Sequence, residues 1–220
     1  MSKTINRAFC HRNSGADHVI RSIAANFDCD DFEINYLPYD SSMYRELESE
    51  KCASIYIVRD GRDVLVDTYN YFRMQPGTMK YFEGKTFRHY IMGYVEAYKD
   101  DALFEDTAKI KNPLDRKMFS DPVSYWVEHI NSFIDSRVQK MYFVNYEMML
   151  LDPVGVLMHI GDYYNLTPRN RLIEPLEDLI CYKTIIKEMG IWRFAFEEKD
   201  LHYFWGKAED LMVRLKYSYT

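Results

Sequence analysis

Several features that mark whole classes of protein are missing from this chain of 220 residues. Its four cysteines, Cys10, Cys29, Cys52 and Cys181, form no Cys-x-x-Cys pair, which argues against a zinc knuckle or a redox dithiol. Scattered single thiols fit reduced, packed side chains in a cytoplasmic protein. No block of lysine and arginine is present and the formal charge is −6, so a general nucleic-acid or membrane-surface binder is not expected. A local basic pocket stays compatible with that balance. No apolar run reaches the ~20 residues of a membrane span, and the first residues lack the apolar core of a signal peptide. Absent too is the nucleotide-hydrolase phosphate loop Gly-x-x-x-x-Gly-Lys-Ser/Thr, which disfavours a nucleotide kinase. There is no internal repeat and no low-complexity tract.

What remains is the make-up of one globular domain spanning residues 1–220, with 47% hydrophobic and 28% charged residues. Aromatics reach 16%, nineteen of them tyrosine, which fits either a large core or an aromatic-lined acceptor pocket. The most informative stretch runs from Ile55 to Phe72. Ile55-Tyr56-Ile57-Val58 reads as a buried strand that stops at Arg59-Asp60-Gly61-Arg62-Asp63, where a helical pattern begins. In open α/β sheets ligands bind beyond the carboxyl ends of strands, where Arg59 and Arg62 stand. The alternative is that these arginines are solvated or pair with Asp60, Asp63 or Asp67.

Asn6 to Cys10 reads as an earlier strand, followed by His11-Arg12-Asn13-Ser14-Gly15-Ala16-Asp17 and then by Val19, Ile20, Ile23 and Phe27 at helical spacing. Such a loop can aim backbone N–H groups at an anion. Further strands are expected at residues 34–37 and 141–144. Helices are expected at residues 44–51, 86–101, 123–138, 153–164 and 197–215, with Pro153 suited to a first helical turn. Residues 106–121 read as a polar surface loop or lid. Strands alternating with helices imply an α/β fold of three layers, a mostly parallel central sheet flanked by helices. His11 and His18, near Cys10 and Asp17, lack a metal-ligand spacing, and no metal is expected.

Several stretches, in order, resemble the sulfotransferase superfamily. Tyr56-Ile57-Val58-Arg59-Asp60-Gly61-Arg62-Asp63 resembles its strand-turn-helix for a 3′-phosphate. Phe143-Val144-Asn145-Tyr146-Glu147 followed by Asp152-Pro153 resembles its later strand and helix start, and Tyr125-Trp126-Val127-Glu128-His129 a tryptophan-containing helix before that strand. Gly190-Ile191-Trp192-Arg193 resembles its turn near the C-terminus, and Asn13-Ser14-Gly15 with Arg21-Ser22-Ile23 its 5′-phosphosulfate loop and helix. The resemblance implies a phosphate-loop-type sulfotransferase fold and sulfuryl transfer from 3′-phosphoadenosine 5′-phosphosulfate (PAPS) to a hydroxyl or amine of a small acceptor. It equally admits a non-catalytic member that uses the fold as a binding or interaction module for another anionic ligand or partner. It leaves homodimer formation open.

Mapped residue by residue, the resemblance sets the family's loop lysine at Asn13, with Arg12 beside it to carry charge. The backbone of Ser14 and Gly15 would cradle the sulfuryl end, with the loop's hydroxyl positions at Ala16 and Asp17. The adenine-contacting position falls at His18. Arg59, with Asp67 or the adjacent Thr68, would take the 3′-phosphate. Tyr36, where the family's histidine base stands, or Asp40 would face the acceptor. Tyr146 and Glu147 would act in support, Trp192 in the core, and Lys183, Lys187 and Arg193 are further candidates for phosphate contacts.

Overall fold

A computed structural model describes residues 5–29, 32–36, 53–95, 120–136, 141–170, 173 and 189–219. The α/β expectation holds: four parallel strands, β1 (Ile5–Cys10), β2 (Glu33–Asn35), β3 (Ala53–Val58) and β4 (Met141–Asn145), lie in the order β2-β1-β3-β4. From β1 the chain goes first to one side of the sheet and then to the other. That reversal marks the carboxyl ends of β1 and β3 as the place where such sheets accept ligands. The described residues fall into two compact units, the first within residues 1–59 and 132–186, the second within residues 60–131 and 187–220.

The first unit holds the sheet. Side chains alternate across a strand, so Ile55 and Ile57 of β3 face one way and Tyr56 the other. Ile55 and Ile57 join Ala8, Cys10 and Val144 in a buried layer, covered by Val19 and Ile23 of α1 (Ala16–Asn26) and by Leu157 and Ile160 of α7 (Pro153–Tyr164). On the opposite face Tyr56 packs at 4.8 Å from Phe133 and 5.2 Å from Phe143, and Phe9 lies 5.0 Å from Phe133. Phe133 belongs to the end of α5 (Pro122–Ile134). The start of α7 follows its sequence: Asp152 accepts the Gly155 N–H at 2.9 Å and Pro153 occupies the first turn. The Tyr164 hydroxyl donates to the Ser54 carbonyl at 2.6 Å and accepts the Tyr142 N–H at 3.0 Å, tying β3 and β4 to α7.

In the second unit α2 (Gly61–Met74) buries Tyr69 and Phe72. They pack with Phe82 of α3 (Met79–Phe82) and with Phe87 and Tyr90 of α4 (Phe87–Ile91). Asp63 accepts backbone N–H groups from Gly190 at 2.7 Å and Trp192 at 3.0 Å, fixing the turn into α8 (Trp192–Ala195). The last helix, α9 (Glu198–Arg214), is held by Arg88 to Asp200 at 2.7 Å and by Lys207 to Asp121 at 2.9 Å.

Three expected elements differ, the first being the helix expected over residues 123–138, which ends at Ile134. Periodicity predicts a helix over residues 86–101, but α4 ends at Ile91 because Gly93, at φ 75°, turns the chain while Tyr94 N–H reaches back to the His89 carbonyl. Residues 96–101 lie outside the described residues, as do the helix expected at 44–51 and, except for Ser120 and Asp121, the loop at 106–121. The strand expected at 34–37 is observed as Glu33–Asn35. Among the described residues, no helix is long and apolar enough to cross a membrane.

Candidate functional site

The loop from His11 to Gly15 leaves the carboxyl end of β1 and opens α1. Two of its residues adopt the left-handed region, Asn13 at φ 62° and Gly15 at φ 79°. Asparagine and glycine are the residues that tolerate it most readily. Gly15 is required for a second reason: a Cβ there would fall inside the Tyr146 ring. As N-cap it brings no side chain, so the first-turn amides of α1 receive no side-chain cap from it. Ser14 is buried and its N–H donates to the His11 carbonyl at 3.2 Å.

Burial keeps both His11 and Cys10 uncharged at neutral pH. His11 donates from Nδ1 to the Arg12 carbonyl at 2.9 Å, and burial lowers its pKa to about 4, leaving the ring neutral. Burial pushes the Cys10 thiol well above its ordinary value, so it stays protonated. The Arg12 guanidinium lies over the half-buried Tyr36 ring, 5.3 Å from its centroid. Asp17 is exposed in the first turn of α1.

Arg59 follows β3 directly and is 1% exposed. Its Nη1 donates to the Asn13 carbonyl at 3.0 Å, and its guanidinium stands 5.2 Å over the Tyr146 ring. His18 meets the same ring edge-on at 6.2 Å. Gly15, His18 and Arg59 thus meet at Tyr146, the buried first residue of α6 (Tyr146–Leu151), which starts where β4 ends, and Asn13 joins them through Arg59. Sequence reasoning gives Tyr146 a supporting role only. The available signal was its place at a strand's carboxyl end.

The remaining expected residues fall elsewhere. Arg62 is buried and forks onto Asp60 (Nη2 to Oδ2 2.7 Å, Nε to Oδ1 3.0 Å), with its guanidinium 3.9 Å from the Trp192 ring centroid, so it is structural. Asp63 accepts the Gly190 and Trp192 amides. Asp67 is half-buried in α2. Thr68, next to it, donates its hydroxyl to the Val64 carbonyl at 2.7 Å and bonds the buried Tyr90 hydroxyl. A phosphate contact by Thr68 would require those bonds to be given up. Trp192 is buried, and Arg193 is exposed, with its guanidinium 4.6 Å from the Trp192 ring centroid. Asp40, Lys183 and Lys187 lie outside the described residues. Among the described residues no three His, Cys, Asp or Glu side chains gather as a metal site.

Comparison with known proteins agrees with this architecture. The family model described as "Sulfotransferase domain" matches residues 36–189, well over half of the chain, and begins beyond the His11–Gly15 loop. Among solved structures, mouse sulfotransferase SULT7A1 complexed with PAP is similar at a TM-score of 0.62 and 17% identity, over 97% of this chain and 88% of that one. No curated protein matches. With a sulfotransferase fold beneath most of its length, the chain belongs to the sulfotransferase family.

Proposed function

We propose that the protein binds PAPS at the His11–Gly15 loop and transfers its sulfuryl group to a hydroxyl or amine of a small acceptor. The observation that carries this reading is the loop itself: two left-handed residues, a glycine with no room for a side chain, and a helix start without a side-chain cap. Such a cradle suits an anion, because aligned N–H groups and the helix dipole both favour negative charge. The relative SULT7A1 was solved with PAP, which supports the same ligand here. PAPS, when bound, supplies an activated sulfuryl group with PAP as the leaving group.

The chain's own residues then have distinct tasks. The backbone N–H groups of Gly15, Ala16 and Asp17 would hold the sulfuryl end, with Arg12 supplying positive charge in place of the lysine that Asn13 replaces. His18 would lie against the base, and Arg59 would underpin the loop from the end of β3. Tyr36, with Arg12 over its ring, would face the acceptor. A cytoplasmic protein acting as one functional domain on a small molecule belongs to the same reading. The rival is a member that binds an anionic ligand without transfer. It draws on the uncharged Asn13 and on the buried Arg59, which already holds the loop.

Thermal melting with PAP at high micromolar concentration tests the ligand: a raised Tm is expected, and no shift sinks the reading. PAP release from PAPS, assayed over hydroxyl and amine acceptors, then separates the two outcomes. Binding without release on any acceptor would favour the rival.

A further inference from the structure

Helices α6 and α7, joined only by Asp152, bury one side each and leave apolar side chains on the other. Tyr146 and Met149 of α6, with Leu157, Ile160 and Tyr164 of α7, turn into the core. On the outer side Met148 and Leu151 stand three residues apart on α6, and Val154 and Met158 four apart on α7. Those spacings set each pair on one face of its helix. The four side chains are between 37% and 67% exposed. A lone exposed apolar side chain is ordinary, but four within eleven residues of two packed helices mark an interaction surface.

Charge selects the occupant. The chain has 28 lysines and arginines, yet none falls between Met141 and Pro168, where Glu147, Asp152 and Asp162 supply carboxylates. Asp152 separates Leu151 from Val154, Asp162 follows Met158 by one helical turn, and both are exposed. Helix α1, which packs against α7, adds the exposed Asp17 and Arg21, whose charges are opposite. Arg169, the next cation in sequence, pairs with Asp28 at 3.3 Å. We propose that this face docks a basic amphipathic helix of a partner protein, its apolar side chains on Met148, Leu151, Val154 and Met158 and its cations opposite the carboxylates.

The other occupants fit less well. An anionic membrane surface would meet like charge. A second copy placed by a two-fold axis would set these carboxylates against their own counterparts. An extended peptide draws on free backbone groups of a sheet edge, which a helical surface does not offer, so the docked segment is itself a helix. Methionine suits the contact, because its unbranched, polarisable side chain adapts to different apolar shapes. Nothing in this docking depends on PAPS.

Two peptides of about 18 residues, long enough to hold a helix, serve as probes. One has leucines at helical spacing with lysines between them, and the other replaces the lysines by glutamates. With isotope-labelled methionine methyl groups, NMR titration of the lysine peptide should move the Met148 and Met158 signals. Met74 and Met79, exposed in the other unit, should stay in place, and the glutamate peptide should move neither pair. No response, an equal response to both peptides, or a response of Met74 and Met79 as large as that of Met148 and Met158 overturns the proposal. Leu151→Lys combined with Met158→Lys should weaken the lysine peptide about tenfold or more, and unchanged affinity also overturns it. Wild-type binding to phosphatidylserine vesicles that this double variant loses would assign the face to lipid instead. A wild-type dimer that the double variant dissociates would assign it to a second copy, and either result overturns the proposal. The PAP melting response is read separately, so failure here and failure of the proposed function are distinguishable.

Discussion

The chain passes from a parallel strand to a helix at His11–Gly15 and again at Arg59-Asp60, and the two junctions are built in opposite ways. The second is tight and dense in charge. Its Asp60 caps α2 by accepting the Arg62 N–H at 2.9 Å, and the same carboxylate is gripped by the Arg62 guanidinium. The negative charge that a helix N-terminus favours is therefore supplied by the chain itself. The first junction is longer, and its N-cap Gly15 brings no side chain. An anion from outside can take the place that Asp60 fills at the other helix. Charge density in the sequence is thus a misleading guide: the junction crowded with ions is self-satisfied, and the plainer one is open.

The sharpest way to break this comparison is Asp60→Ala. Arg62 is 3% exposed, and losing its partner strands a buried guanidinium while uncapping α2. Stability should fall by about 3–5 kcal/mol, read by urea unfolding. Nucleotide affinity of the folded protein should fall less than in a variant of the His11–Gly15 loop. A variant of wild-type stability would show that the junction is not self-satisfied at all.

Gly15→Ala probes the other side. The new methyl group meets the Tyr146 ring and must also adopt a positive φ. Overpacking and left-handed strain together predict a loss of about 2–4 kcal/mol. Here the nucleotide response should disappear as well, unlike in Asp60→Ala. If stability falls while PAP still raises the Tm by the wild-type amount, the loop is not the binding site.

The architecture was legible because its cues are local. Alternation at Ile55, Tyr56 and Ile57 marks a strand between two packed faces, and Asp152-Pro153 announces the start of α7. The same locality misled at residues 92–95, where Tyr94 and Val95 continue a helical period that the conformation of Gly93 interrupts. The candidate site was legible as a set of residues but not as a set of contacts. Nothing local couples Arg59 to Asn13, or makes Gly15 depend on Tyr146, because each pairing forms only when strands distant in sequence become neighbours. For Thr68, the hydroxyl that suggests a ligand contact is engaged by the Val64 carbonyl and Tyr90, a partnership that helix packing creates.

The smallest expected effect concerns acid. His11 begins the open junction, and its burial lowers its pKa from 6.5 to about 4. The unfolded chain therefore takes up the proton first, and stability is full above about pH 6.5 and lost as the pH falls from there toward about 4. Between pH 7 and 5 this one group should remove about 2 kcal/mol, so the dependence in urea unfolding should be steeper in the wild type than in His11→Gln. The second junction has no histidine to add a similar slope, so Asp60→Ala should lower the whole curve over that interval without flattening it. If His11→Gln keeps the wild-type slope, the ring is already exchanging protons with solvent near its ordinary pKa. In that case the open junction would be loose before any ligand arrives, and its preformed cradle would give way to a loop that orders on binding.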